Sequence, residues 1–183
     1  MKLLDRIRGF QEHLIELGLS RTTLALPAPT ILALPSPDGE TLELDLLFDR
    51  LIEDDEIRNV SRDLFDSGHY NLAVAEAFKA VDHVVQSAIG EKELSGTSLM
   101  DQVFSPSAPK LAWTARSNRT EKDHQKGYHR LFSGAMLGIR NPTTHDFDWI
   151  SEPEEALECV VFAQHLLRKV KRAKHPDQLS SGT

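Results

Sequence analysis

Residues 123–145 read DHQKGYHRLFSGAMLGIRNPTTH, and this stretch decides the fold. Tyr128, Leu131, Phe132, Ala135, Met136 and Ile139 recur at three- and four-residue steps, which predicts an amphipathic helix over residues 123–140. Pro142 predicts where it stops, because proline lacks the N–H a continuing helix needs. Gly134 and Gly138 sit four apart on another side of that helix. Each costs roughly 1 kcal/mol relative to alanine, so the expected reason is close approach by a neighbouring helix, from this chain or a second subunit.

Working outward, Ser151-Glu152-Pro153-Glu154 reads as a capping box opening a last helix through Ala156, Leu157, Val160, Val161, Gln164, Leu167 and Val170. Acids crowd its start and Arg168, Lys169, Lys171, Arg172 and Lys174 its end, complementing the helix dipole. The tail beyond residue 175 is expected to fray. Cys159, the single cysteine, falls on the apolar side of this helix and reads as core.

On the N-terminal side, residues 91–121 read as a long irregular connection with a short apolar turn at 99–104. Before it, residues 70–89 predict a strong helix with Leu72, Val74, Ala75, Phe78, Val81, Val84, Val85 and Ala88 inward, closed by Gly90. A shorter helix is predicted over residues 55–66, with Ile57, Val60, Leu64 and Phe65 inward and Ser67-Gly68 as its stop. Residues 3–17 predict a first helix. Pro27, Pro29, Pro35 and Pro37 then forbid a continuous one. Residues 30–34 and 41–44 suit a hairpin, while Asp38 suits the cap of a helix through Leu42, Leu46, Leu47, Leu51 and Ile52. The helix is slightly favoured.

The fold class expected is therefore all-α, an antiparallel helical bundle with an N-terminal helix and a Pro-rich, partly extended segment. The expected division is residues 1–52 as an accessory or sensing element, 53–175 as the bundle and 176–183 as tail.

Composition narrows the function classes. The chain has 183 residues, 40% hydrophobic and 27% charged, and needs no staples to bury a core. No apolar run reaches membrane-span length, early charge in Met1-Lys2-Leu3-Leu4-Asp5 opposes a signal peptide, and a lone cysteine fits a reducing compartment. A cytoplasmic protein without membrane contact is expected. The formal charge of −7 opposes a broadly basic nucleic-acid binder. The charge is uneven: residues 38–66 carry a net −8 and residues 110–140 a net +5. Arg116, Arg119, Lys122, Lys126 and Arg130 in the basic stretch are candidate RNA contacts, with a plain solvated loop and helix face as the equal alternative.

Arg140 and His145 are the candidate catalytic pair. A guanidinium forks onto phosphate oxygens and an imidazole moves a proton near neutral pH, which suits phosphodiester chemistry. Twelve Arg and eight His give roughly two chance occurrences of Arg, four to six residues, His, and six occur here. Only Arg140 and His145 combine a following Asn141, a nearby Pro142 and apolar helices on both sides. The plain structural alternative pairs Arg140 with a carbonyl or acid and leaves His145 capping a turn. Glu76 and Asp82 are candidates to orient a His, with a plain surface role as the alternative. His145-Asp146-Phe147-Asp148 gathers three potential metal ligands, but neighbours in extended chain point to opposite sides. No metal and no cofactor are expected. His124 and His129, five apart, do not share a helix face.

Taken together, Gly68-His69-Tyr70, Ala75-Glu76-Ala77-Phe78-Lys79-Ala80, and residues 131–142 (LFSGAMLGIRNP) with His145 resemble the HEPN superfamily. Within it, residues 55–172 look most like the uncharacterised prokaryotic Ymh-like family. The resemblance implies a helical bundle that dimerises so that two Arg/His motifs face each other. It implies a metal-independent endoribonuclease acting as a toxin or abortive-infection effector in phage defence. RNA (tRNA or mRNA), a second copy and a protein antitoxin or activator would be its partners. Arg140 and His145 take the catalytic positions and Asn141 the supporting polar one. Phe147 stands where HEPN toxins paired with a nucleotidyltransferase carry the Tyr that accepts AMP, so control by that route is not expected. The alternative is a HEPN-like bundle without catalysis, a partner- or RNA-binding module whose acidic 38–66 stretch docks a basic partner or masks the site.

Overall fold

The computed structural model describes residues 37–146 and 148–180, and every regular element among them is helical. The helix expected over residues 3–17 and the hairpin strand at 30–34 lie outside the described residues, as does Phe147. Residues Glu40–Thr183 form one compact unit. No helix among the described residues is long and apolar enough to cross a membrane.

The helical alternative for the residues around 42–51 is the one observed: α1 spans Pro37–Leu51. Asp38 lies inside its first turn rather than before it. Asp54 then caps α2 (Asp55–Asp66), its carboxylate accepting the Glu56 N–H at 3.2 Å. Gly68, at φ +74°, turns the chain into α3 (Tyr70–Ile89), and Gly90, at φ +68°, ends α3. These are positive φ values that suit glycine. The connection expected to be irregular contains α4 (Gly96–Val103), and α5 starts at Arg119, earlier than the apolar pattern predicts. α5 (Arg119–Ala135) opens on Asn118, which accepts the Glu121 N–H at 3.0 Å while Glu121 accepts the Ser117 N–H at 2.9 Å. The reciprocal cap is thus here, not at Ser151. There, Pro153 starts α7 (Pro153–Arg172) with no side-chain cap bond, since a proline at the first helical position leaves one fewer N–H to satisfy. Beyond α7 a short helix, α8, spans Pro176–Ser180.

α3 is the central helix and packs chiefly on α2 and α7. Val74, Ala77, Phe78, Val81 and Val85 are fully buried in it. Leu72, Ala88, Val60 and Leu131, all predicted or grouped as inward, are exposed instead, while Ser61 is buried and donates to Ile57 O at 2.6 Å. Phe104, Trp113 and Phe132 stack beside α5, with Phe104 and Phe132 centroids 4.3 Å apart. Cys159 is half-buried, and burial pushes its thiol up to about 11, so it remains a thiol at neutral pH.

Gln164 is the polar tie between α7 and the α1–α2 junction. Its Oε1 accepts from Glu53 N (2.7 Å) and Asp54 N (2.8 Å), and its Nε2 donates to Leu51 O (2.8 Å). Gln164→Leu strands all three backbone groups. It is expected to destabilise the protein by about 2–3 kcal/mol, read as a lowered midpoint in urea at unchanged slope.

Candidate functional site

The motif stretch departs from its predicted shape. α5 does not stop at Pro142; it passes through a π-helical turn, Met136–Arg140, into α6 (Asn141–His145). In that turn the Asn141 N–H donates to Met136 O, five residues back. The wider turn lets a proline follow without ending the helix, and it is a feature common at functional sites. Thr143 and Thr144 satisfy carbonyls freed nearby. Thr143 Oγ1 donates to Ile139 O and Arg140 O at 3.0 Å, and Thr144 Oγ1 donates to Arg140 O at 2.7 Å.

Five helical residues correspond to a rotation of about 140° between Arg140 and His145. The two side chains accordingly face different ways. Arg140 turns inward, its side chain 21% exposed, with Nη2 3.9 Å from Asp82 Oδ2. Its Nη1 lies 3.6 Å from where a Cβ would stand on Gly96, and its Nε is buried without a hydrogen-bond partner. His145 is exposed and makes no side-chain hydrogen bond or ion pair among the described residues. One chain therefore does not bring the pair into one cleft.

Asp82 is not a surface acid. It is 5% exposed, and both its oxygens accept the Gly96 N–H, at 3.1 and 2.9 Å. Burial pushes its carboxyl above the usual range, opposed by the Gly96 N–H and by Arg140. It holds Arg140, not a His. Glu76 pairs with Lys79 at 2.6 Å and reaches no His.

Asn71, in the first turn of α3, has a role that the sequence did not reveal. Its Nδ2 donates to Thr143 O and Asp146 O, both at 2.9 Å, and its Oδ1 accepts the Ile150 N–H at 3.3 Å. One side chain thus clamps the backbone on both sides of His145. Beside it opens a cleft of about 580 Å³, lined among others by Asn71, Glu76, Lys79, Thr143, Thr144 and Asp148.

The candidate RNA contacts divide. Arg116 is anchored in its loop at φ +57° and donates to Pro106 O at 3.2 Å. Arg119, Lys122, Lys126 and Arg130 are exposed along one stripe of α5, with only Arg119 near an acid, Asp123 at 3.7 Å. Asn141 is half-buried and free of side-chain hydrogen bonds among the described residues. His129 and His124 do face different ways, His129 toward Asp101 at 3.0 Å and His124 toward Lys169 at 3.2 Å. Among the described residues no three His, Cys, Asp or Glu side chains gather closely enough to hold a metal ion.

A family model, described as a protein of unknown function (Hypoth_ymh), matches residues 53–170. The chain belongs to the Hypoth_ymh family. That match spans α2 through α7 and so includes Asn71, Asp82, Arg140 and His145. No curated protein and no solved structure shows significant similarity.

Proposed function

We propose that this Hypoth_ymh protein is a metal-independent endoribonuclease of HEPN type, with a reaction centre assembled from Arg140 and His145 of two chains. The observation that carries the reading is the divergence of the pair. His145 stands exposed, with no side-chain partner among the described residues, on a clamped turn, while Arg140 is held by a buried acid. A single copy offers one imidazole in the motif, whereas cleavage without metal needs two proton-transfer groups, and a symmetric pair of chains would supply both.

A face suited to such pairing runs beside the motif. Gly127, Leu131, Gly134 and Gly138 fall on one stripe of α5 and the π turn. Nothing described stands within 4 Å of a Cβ added at any of these glycines. Leu131, on that stripe, is 45% exposed, and Leu137, at its margin, 61%. The glycines meet no helix of their own chain among the described residues, which leaves this stripe open to the close approach of a second copy.

In the shared centre one neutral His145 takes the proton from the ribose 2′-OH as that oxygen attacks phosphorus. The protonated His145 of the second chain gives its proton to the departing 5′-oxygen. The two Arg140 side chains balance the charge gathering on the phosphorane oxygens. The products are a 2′,3′-cyclic phosphate and a 5′-hydroxyl, and DNA, lacking the nucleophile, resists. In the cell such an activity acts as a toxin or abortive-infection effector held by an antitoxin or awaiting an activator.

A second reading, a non-catalytic partner- or RNA-binding bundle, draws on the Arg140–Asp82 contact, which would suffice as a structural role. Part of the acidic segment it would use is occupied within the chain. Asp49 meets Arg58 and Arg62, Glu53 meets Arg168 at 2.9 Å, and Asp54 and Glu56 meet Lys171 at 2.9 and 3.3 Å. Arg62 in particular holds the Asp49 carboxyl below the usual carboxylate range.

The test is cleavage of total tRNA by purified protein in excess EDTA, wild type beside His145→Ala, with end-group analysis. Cyclic-phosphate ends from the wild type alone are expected. Cleavage by both proteins, or ends other than cyclic phosphate, overturns the mechanism, and cleavage by neither favours the binding module.

A further inference from the structure

The seam between α5 and α7 holds a cluster that the proposed reaction centre does not use. His165, Lys169 and Arg172 follow one another at four- and three-residue steps and share a face of α7. Opposite them stand His124 and Tyr128 of α5, with Trp113 from the preceding loop. Tyr128 Oη and His165 Nε2 are 3.0 Å apart, and their rings stack at 5.9 Å and 24°. The Lys169 ammonium sits 4.0 Å over the Tyr128 ring and 5.2 Å over Trp113, and 3.2 Å from His124 Nε2. Trp113 Nε1 donates to Lys169 O at 2.8 Å, which fixes the indole.

The charge pairing along α7 sets this face apart. Arg168 and Lys171 are matched by Glu53, Asp54 and Glu56. Lys169 and Arg172, on the neighbouring face, meet no carboxylate among the described residues. In a chain with net charge −7, two adjacent uncompensated cations between partly exposed rings are not the default. The charged groups bearing on this cluster are the two cations of α7, Lys169 and Arg172. Burial lowers His124, His165 and Lys169 from their ordinary values, with Lys169 acting on both imidazoles and Arg172 on His165 and Lys169. His124 Nδ1 is also buried without a hydrogen-bond partner.

The geometry points to a second nucleic-acid contact: Lys169 and Arg172 take a phosphodiester of single-stranded RNA, and a base stacks on the exposed ring of His165. Phosphate supplies the missing counter-charge, and a stacking surface beside cations is how single strands are held without regard to sequence. The α5 members of the cluster, His124 and Tyr128, lie in the first half and middle of that helix, several turns before Arg140 and His145, so one strand would cross the bundle to reach the reaction centre. Assigning the polyanion as RNA rests on the ribonuclease reading above; the cation and ring geometry does not.

The test is fluorescence anisotropy at low salt with a labelled 2′-O-methyl oligouridine of about twelve nucleotides, which binds like RNA but cannot be cut. Arg172→Gln and His165→Gln are surface changes. Each is expected to weaken binding about fivefold to tenfold and Arg172→Gln to lower the salt slope by about 1, with melting temperature unchanged. Arg168→Gln, whose guanidinium is already held by Glu53, is the control and is expected to bind within about twofold of wild type. No binding by the wild type, no loss in either surface variant, or an equal loss in the control overturns the site. A wild type that binds here yet leaves tRNA intact keeps this surface and removes the ribonuclease. One that cuts tRNA while Arg172→Gln and His165→Gln bind normally does the reverse.

Discussion

Arg140→Ala is expected to slow RNA cleavage about a thousandfold, the upper range for removing a preorganised charge from a developing oxyanion. Asp82→Ala is expected to cost about tenfold to a hundredfold, with the double variant no slower than Arg140→Ala. The reason for the ordering is geometric. Asp82 is 5% exposed and cannot meet a substrate; it acts through the guanidinium 3.9 Å away. Once Arg140 is gone the carboxylate has nothing left to position, so the losses do not add.

Asp82 also accepts the Gly96 N–H with both oxygens, so Asp82→Ala should lower stability by about 1–2 kcal/mol. Arg140→Ala leaves Asp82 charged and buried without its nearest cation, and a destabilisation of similar size is expected. Single-turnover rates measured well below each variant's melting temperature separate the two effects. Arg140→Lys is informative because lysine keeps the charge and loses the fork, and it should recover only a small part of the rate. Full activity in Arg140→Ala would reduce the Arg140–Asp82 contact to a structural tie and sink the proposed role.

How much of this was legible in the sequence depends on which atoms carry the information. The helices α2 and α3 were readable to the residue, because apolar periodicity and the closing Ser67-Gly68 and Gly90 are written in side chains. Periodicity does not say which apolar face stays uncovered. Val60, Leu72 and Leu131 fit their stripes and are still exposed. The π turn was hidden for a related reason. Pro142 normally ends a helix, and only the tertiary setting shows that the preceding turn widens to admit it. Context, the following Asn141 and Pro142 between two apolar helices, singled out Arg140 and His145 among six pairs of like spacing but could not give their directions. A stretch that stays helical to His145 sends them to different faces, whereas a corner after Arg140 would have let them converge. Asp82 sat among apolar residues of α3, and its buried role depends on Gly96, fourteen positions away. The expected first helix and the proline-rich segment up to residue 36 fall outside the described residues.

Asn71 left no trace in the sequence, since its partners are backbone atoms of Thr143, Asp146 and Ile150, which any residue would supply. Its removal is nonetheless expected to have a large effect on catalysis. The two accepted carbonyls bracket His145, so the clamp fixes where the imidazole starts and in which direction it leaves the chain. Asn71→Ala should lower the cleavage rate about a hundredfold, the cost of displacing a proton-transfer group by an ångström or so, while RNA affinity stays near wild type. Asn71→Asp is the sharper probe. It keeps an acceptor for the Ile150 N–H but turns a carboxylate toward two carbonyl oxygens that need a donor. It should therefore be at least as slow as alanine despite being the closer isostere. A purely structural clamp predicts something else: melting temperatures that fall in both variants, with rates per folded molecule unchanged. Rate loss at constant RNA affinity, larger for aspartate than its stability loss accounts for, is what assigns Asn71 to the positioning of His145.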